Sequence, residues 1–426
     1  MRKTGFSLLS LVAGLCLLPT AAFAQDAAPA APAPAVDPTP AAAPAPAAAP
    51  APATPQPSES SVAPAPAEVA PAEAAPAAPT YPQTTIQGGV EGTWSRMLGA
   101  PHTGDTTAPT RAYDSSNGFL LNQASLFVKH QLNENVYAQI RFDAGANAGI
   151  NSVSPGLSRV FDVREAFAVA TGSGFTFTAG KFTTYEGIEV VDGWLNPTLT
   201  RGFLYYLAEP VTHVGAKLHY TMDALDIGVG VVNGWDSNNG VFATGDNNPQ
   251  KTLIWRLAYT TAPFWAAFSG TYGVEKAGLD HDPRLSLDLT GAAVINPMLA
   301  INFQGNYGTE KNVDILDGTK SGHWAGFGIQ PMVHVDAMSL GARFEYFSDK
   351  GLSRTGYFAN PLDADGAPTS GLDKVSLWNF AITPGYTIAS AMLVRAEFRV
   401  DGASEPVLWN GKKTQTSLTL GAAYTF

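Results

Sequence analysis

The chain contains a single cysteine, Cys16, set in the apolar run that follows Arg2 and Lys3. Nothing after it can form a disulfide or supply a thiolate, which excludes disulfide scaffolds, cysteine nucleophiles and cysteine-based metal centres. Long apolar runs are missing too. Beyond the N-terminal segment no window of about 18 uncharged apolar residues occurs, so no helical membrane span is expected. Positive charge is scarce: 25 Lys and Arg stand against 36 Asp and Glu, for a net charge of −11. No basic stretch interleaves with aromatics, so nucleic acid is not an expected partner.

What the N-terminus does hold is an export signal. Arg2 and Lys3 precede the apolar Leu8–Leu18 run, and Ala22-Phe23-Ala24 forms a small-x-small cleavage pattern before Gln25, so residues 1–24 read as a signal peptide. Leu15 stands where a lipoprotein cleavage site needs a small residue, which argues against lipidation at Cys16. Residues 25–80 are almost wholly Ala and Pro, with five acids (Asp26, Asp37, Glu59, Glu68, Glu73) and no base. Such a segment cannot build a core, so it reads as a disordered linker. In an extended polyproline conformation of about 3.1 Å per residue it would reach on the order of 170 Å.

From 81 to 426 the pattern changes to short segments of alternating polarity. In one, Leu285, Leu287, Leu289, Ala293 and Ile295 oppose Arg284, Ser286, Asp288 and Thr290; in another, Val394, Ala396, Phe398 and Val400 oppose Arg395, Glu397, Arg399 and Asp401. The connectors alternate between tight turns, such as Asn133-Glu134, Met222-Asp223, Asn296-Pro297 and Asp336-Ala337, and long polar loops. A strand that crosses a bilayer sends successive connections to opposite sides, so this alternation predicts an all-β fold: a transmembrane, antiparallel, up-and-down β-barrel of about 16 strands. Charges take the lumen face because an Arg or Lys facing lipid at mid-depth would cost roughly 2–4 kcal/mol. Two segments, 160–171 and 373–386, do not alternate cleanly, with Glu165 and Asn379 on doubtful faces. Trp94, Trp235, Trp265, Trp324, Trp409, Tyr220, Tyr259 and Tyr346 fall near predicted strand ends, the place of an interfacial aromatic girdle. An even strand count puts both ends of the barrel on one side. The barrel is expected in the bacterial outer membrane, surrounded by its lipid, with the linker in the periplasm, there to act as a spacer or to contact peptidoglycan or a periplasmic partner.

The longest predicted outer loop, 183–210, carries Ile188, Val190, Val191, Trp194, Leu195, Leu199, Phe203, Leu204 and Leu207. So apolar a connector is expected to fold into the barrel. Glu186, Glu189, Asp192 and Arg201 then become constriction residues, facing the lumen bases Arg141, Lys217, Arg256, Arg343, Arg395 and Arg399. Opposed charges across a narrow passage would set ion preference. The alternative is that the wall charges pair locally, Arg343 with Glu345, Arg395 with Glu397 and Arg399 with Asp401, and merely stiffen the wall.

Within this region Gly180-Lys181-Phe182, Gly187-Ile188-Glu189, Asn196-Pro197, Arg201 and Pro210 with His213-Val214-Gly215 resemble the corresponding stretch of the β-barrel porin-2, or OmpL-like, family of bacterial outer-membrane proteins. The resemblance extends over roughly 85–426 and implies a porin-like barrel; by wider analogy with sixteen-stranded porins it implies a constriction loop and a homotrimer. The expected function is a passive diffusion channel for ions and small hydrophilic solutes, with no cofactor and no metal. A non-conducting anchor or adhesion barrel tethered through the linker is the alternative, and a barrel-based hydrolase a more distant one. No nucleophile elbow or dinucleotide fingerprint appears, so no catalytic residues are assigned and no enzyme is expected. The acidic-amide loop with Asp236, Asn238, Asp246, Asn247 and Asn248 departs from calcium-loop spacing and reads as solvated.

Overall fold

The computed structural model describes residues 80–99, 118–151, 161–235, 248–360, 363, 368–389, 391–408 and 411–426. The expected signal peptide and nearly all of the Ala/Pro segment lie outside the described residues, as do Trp409 and Asp236, Asn238, Asp246 and Asn247 of the acidic-amide loop.

Sixteen strands form one closed antiparallel barrel in which each pairs with its neighbours in sequence. They are β1 (Gln83–Leu98), β2 (Gly118–Asn133), β3 (Val136–Ala144), β4 (Phe161–Gly172), β5 (Phe175–Thr183), β6 (Thr212–Met222), β7 (Leu225–Val232), β8 (Thr252–Thr261), β9 (Phe264–Val274), β10 (Pro283–Asn296), β11 (Leu299–Glu310), β12 (Gly322–Val335), β13 (Met338–Lys350), β14 (Lys374–Ile388), β15 (Met392–Ala403) and β16 (Thr414–Thr425). Closure is by β1 on β16, with Val90 opposite Tyr424, and the ladder continues to the last residue, where Gly88 N donates to Phe426 O at 2.9 Å. Short helices α1 (Ala146–Asn151) and α2 (Gly356–Ala359) sit in connectors. The first strand starts and the last one ends at the same rim, where the tight turns also lie. Ser173, Asp223, Asp336 and Ala389 take positive φ in four of them, the geometry that two-residue hairpins demand.

Alternation decides which face each side chain takes. On β8 Leu253, Leu257 and Tyr259 are exposed while Ile254, Arg256 and Ala258 are buried; on β9 Phe264, Phe268 and Tyr272 are exposed while Ala267, Ser269 and Thr271 are buried. Repeated around the barrel, this leaves a continuous apolar outer surface far larger than a water-facing wall carries, the surface a bilayer covers.

The two untidy segments have separate causes. In the β3–β4 ladder Arg141 pairs with Glu165 and Phe142 with Val163, so Arg164 is an extra residue and both Arg164 and Glu165 turn inward. On β14, Val375 and Leu377 point inward beside Asn379 because that part of the lumen wall is itself an apolar seat. The same seat overturns part of the girdle expectation. Trp235 and Trp324 are buried inside the barrel, ring centroids 5.9 Å apart, and Trp265 is buried in a second internal cluster; Tyr259 and Tyr346 do face outward. A position near a strand end sets the height of a side chain, not its face.

Candidate functional site: the loop across the lumen

The connector between β5 and β6, residues 184–211, crosses the barrel interior and touches walls from β1 to β15. Apolar burial anchors it. Phe203, and Leu204, Leu207 and Ala208 on the π-helical turn Leu204–Ala208 that follows it, pack on Trp235, Trp324, Phe347, Val375 and Leu377. Each large side chain so placed contributes about 1.5–3 kcal/mol. At the loop's start Tyr185 packs with Phe182, Val232 and Ile254, and its hydroxyl meets His219 Nε2. Glycines permit close approaches here. Gly187 has φ +95°, and a Cβ there would lie 2.2 Å from the Glu209 carboxylate; a Cβ on Gly341 of β13 would lie 1.8 Å from the Pro197 carbonyl oxygen.

On the side formed by β13–β15 and β1, bases and acids alternate and are paired. Arg343 Nη1 donates to Glu189 Oε1 and Thr198 Oγ1, both at 2.7 Å, and to the Thr200 carbonyl, while its Nε reaches Asn379 at 3.0 Å. Glu345 accepts the Phe203 amide at 2.6 Å, and Glu397 accepts the Leu199 and Thr200 amides at 2.7 and 3.1 Å. Arg395 bonds Glu91 at 2.8 Å and the carbonyls of Gly193 and Asn196 at 2.9 and 3.0 Å. Arg399 holds Asp401 at 2.6 Å and the Arg201 carbonyl at 2.6 Å. Arg201 itself donates to the Val191 carbonyl and lies over the Tyr205 ring. Wall charges thus satisfy loop backbone that would otherwise be buried without partners.

Further round, Arg141 bonds Asp143 at 2.9 Å and also Asp192, which accepts from Gln123 at 2.6 Å. The β1–β2 bulge at Glu91/Gly92 turns both Asn122 and Gln123 inward and makes this contact available. Lys217 Nζ sits 4.3 Å from the Phe182 ring and 4.7 Å from the Tyr185 ring. Arg256 is buried, and none of the described residues accepts a hydrogen bond from it.

The β9–β11 side is different. Ser286 Oγ donates to Glu186 Oε2 at 2.6 Å, Gln304 Nε2 donates both to Glu209 at 2.7 Å and to Asp288 at 2.8 Å, and the Gly187 amide reaches Asp288 at 3.1 Å. Burial, followed by the nearby Asp288, pushes the Glu186 carboxyl up to about 8, and the same two causes raise Glu209 well above the usual carboxylate range.

Of the four loop residues expected to act, Glu186, Glu189 and Asp192 bond the wall while Arg201 is engaged within the loop, and of the six wall bases Arg343, Arg399, Arg395 and Arg141 hydrogen-bond the loop and Lys217 lies over the Tyr185 ring. Local pairing holds for Arg399 with Asp401; Arg343 Nε is 3.9 Å from Glu345, and Arg395 turns to Glu91 instead. Sequence reasoning passed over Glu91, Glu209 and Gln304. Glu209 stands just before Pro210 at the loop's end, a usable signal; Glu91 and Gln304 carry none beyond inward parity. The inward side chains at the level of the loop are buried, Arg141 and Arg343 at 0% exposure and Arg395 at 7%. Among the described residues no group of three or more His, Cys, Asp or Glu is arranged to hold a metal ion.

Comparison with known proteins adds family and fold. The family model described as "Putative beta-barrel porin-2, OmpL-like" matches residues 83–426. No curated protein matches the chain. Among solved structures the chain is similar to an anion-selective porin from Comamonas acidovorans (TM-score 0.54, 10% identity, 81% of this chain and 99% of that one). It is also similar to the outer membrane channel DcaP of Acinetobacter baumannii (0.52, 12%, 80% and 97%) and to Pseudomonas putida OprB (0.52, 10%, 80% and 94%).

Proposed function

We propose, for a chain that belongs to the β-barrel porin-2, OmpL-like family of outer-membrane porins, that it is a passive diffusion channel for ions and small hydrophilic solutes, its passage governed where the 184–211 loop meets the lumen wall. The observation that carries this reading is the loop itself: it crosses the interior and is held by charged side chains from both walls, with Glu189 on Arg343 and Asp192 on Arg141. Charges fixed in a narrow, low-dielectric passage discriminate between ions of opposite sign. The barrel belongs in the outer membrane. Its two ends share one rim, which in single-chain bacterial barrels faces the periplasm, so residues 25–80 extend there as a spacer or a peptidoglycan contact, behind a signal peptide at 1–24. A homotrimer is the assembly proposed by analogy with sixteen-stranded porins.

The near-complete burial of the inward wall side chains favours a second reading, a barrel closed by its own loop that serves as an anchor. Purified protein in a planar bilayer separates the two. Stable open steps with a reversal potential set by the salt gradient support diffusion; a folded, inserted barrel that stays silent at every pH and voltage supports the anchor.

A further inference from the structure

Where both ends of the loop meet β10 and β11 three carboxyl groups come together, beside a Ser269 hydroxyl that donates to the Tyr185 carbonyl at 3.0 Å and Ile188 packed against the Trp265 cluster. Glu186 comes from the loop's start, Glu209 from its end and Asp288 from β10, with exposures of 2%, 4% and 0%. Around them stand neutral donors: Ser286, Gln304, Asn306 and the Gly187 amide. Glu186 Oε1 has no hydrogen-bond partner among the described residues. A void of about 10 Å³, the space of one water molecule, lies beside it, lined by Glu186, Glu189, Glu209 and Tyr205. Of the charged groups facing this cluster, Glu189 is already engaged by Arg343, and Arg354, which faces Glu186 from the connector after β13, gives its Nε to the Leu207 carbonyl at 2.6 Å. No Lys, Arg or His among the described residues is hydrogen-bonded to any of the three carboxyls.

Three carboxylates that share a buried site without a bonded counter-charge cannot all ionise, because each negative charge raises the cost of the next where water is excluded. Something must neutralise them. No metal-holding arrangement is present among the described residues, so the neutralising species is the proton. We propose that protons on Glu186 and Glu209, held beside the Asp288 carboxylate, latch the loop to β10 and β11, and that removing them releases both ends of the loop from that wall while the Arg343 side stays attached. The lumen then opens by a swing of the loop about its paired side. This deepens the diffusion reading by naming what regulates the constriction, and rests on that reading only for its consequence in conductance.

The direction of the pH effect follows from linkage. The docked loop binds protons that the released loop, with carboxyls near 4.5, sheds; docking therefore weakens as pH rises from that range through about 8, the value reached by Glu186. Coupling among the three spreads the transition over more than one unit.

The test uses the reconstituted barrel with one cysteine introduced by Val190→Cys, placed on the half-buried part of the loop, in wild-type and in E186Q/E209Q backgrounds. Maleimide labelling is read from pH 6 to pH 9.5 alongside bilayer conductance, and the amide background corrects for the pH dependence of the thiol. The wild-type-to-amide labelling ratio is expected to rise about tenfold or more across that range, with conductance rising in parallel only when the carboxyls are intact. An unchanged ratio overturns the latch. So does release at pH 7 by EDTA that Ca²⁺ reverses, which would make a metal ion the neutralising species. A rising ratio in a silent barrel would keep the latch and remove the diffusion reading; open steps with a flat ratio would do the reverse.

Discussion

The two walls that hold the same loop solve the same problem in opposite ways. On the β13–β15 side buried carboxylates and guanidinium groups alternate, so Arg343, Arg395 and Arg399 neutralise Glu189, Glu91 and Asp401 and still have donors left for loop carbonyls. On the β9–β11 side Glu186, Glu209 and Asp288 take their hydrogen bonds from neutral amides and hydroxyls. The first arrangement is a clamp whose strength depends on geometry; the second is an attachment whose strength depends on proton concentration. A hinge needs one side of each kind.

Breaking the clamp should produce the largest effect. Arg343→Met leaves Glu189 buried without its counter-charge and removes a donor from Thr198, Thr200 and Asn379; a loss of about 3–5 kcal/mol is expected in urea unfolding of the reconstituted barrel. Adding Glu189→Gln should recover part of it, since the uncompensated charge then disappears. A loss below about 1 kcal/mol would mean that the clamp is ornamental. Next comes Gly341→Ala, whose new Cβ would meet the Pro197 carbonyl at 1.8 Å. Backbone must shift, so about 1–3 kcal/mol is expected, together with noisier single-channel currents. Unaltered noise would show that the loop seat can relax without moving the loop.

How much of this was legible beforehand depends on periodicity. The sixteen strands and the inward placement of all six wall bases follow from a period of two, which a barrel imposes over its whole length. Where the period slips, so does the reading: the extra Arg164 in the β3–β4 ladder hides Glu165, and inward Val375 and Leu377 imitate lipid-facing residues because they seat the loop. The loop's partners obey no period. Glu189 meets Arg343, and Glu397 meets Leu199 and Thr200, across 154 and nearly 200 residues of chain. Such pairs are decided by the path of an irregular segment and by close glycine contacts, neither of which leaves a spacing signature. The inward acid of β10, Asp288, was visible by parity; that it shares its site with Glu186 and Glu209 of the loop was not.

A finer comparison lies within the clamp. Arg395→Lys keeps the charge but cannot serve Glu91 and two loop carbonyls from one planar fork, so a loss of about 1–2 kcal/mol is expected in the same unfolding measurement. Equal stability of the two proteins would assign the role of Arg395 to charge alone and leave the geometric account resting on Arg343.

The smallest effect separates the two walls by ion preference rather than by stability. Glu189→Gln removes a negative charge that faces Arg343, leaving that base unbalanced, so the cation-to-anion permeability ratio should move toward anions at pH 6 and at pH 9.5 alike. Glu186→Gln should leave the ratio unchanged at pH 6, because burial and Asp288 already keep that carboxyl protonated up to about 8. At pH 9.5 the wild-type carboxyl is ionised and the glutamine is not, so only there should the variant shift toward anions. A shift of equal size at both pH values would mean that Glu186 carries its charge throughout, and the distinction between a charge-paired wall and a proton-dependent one would fall.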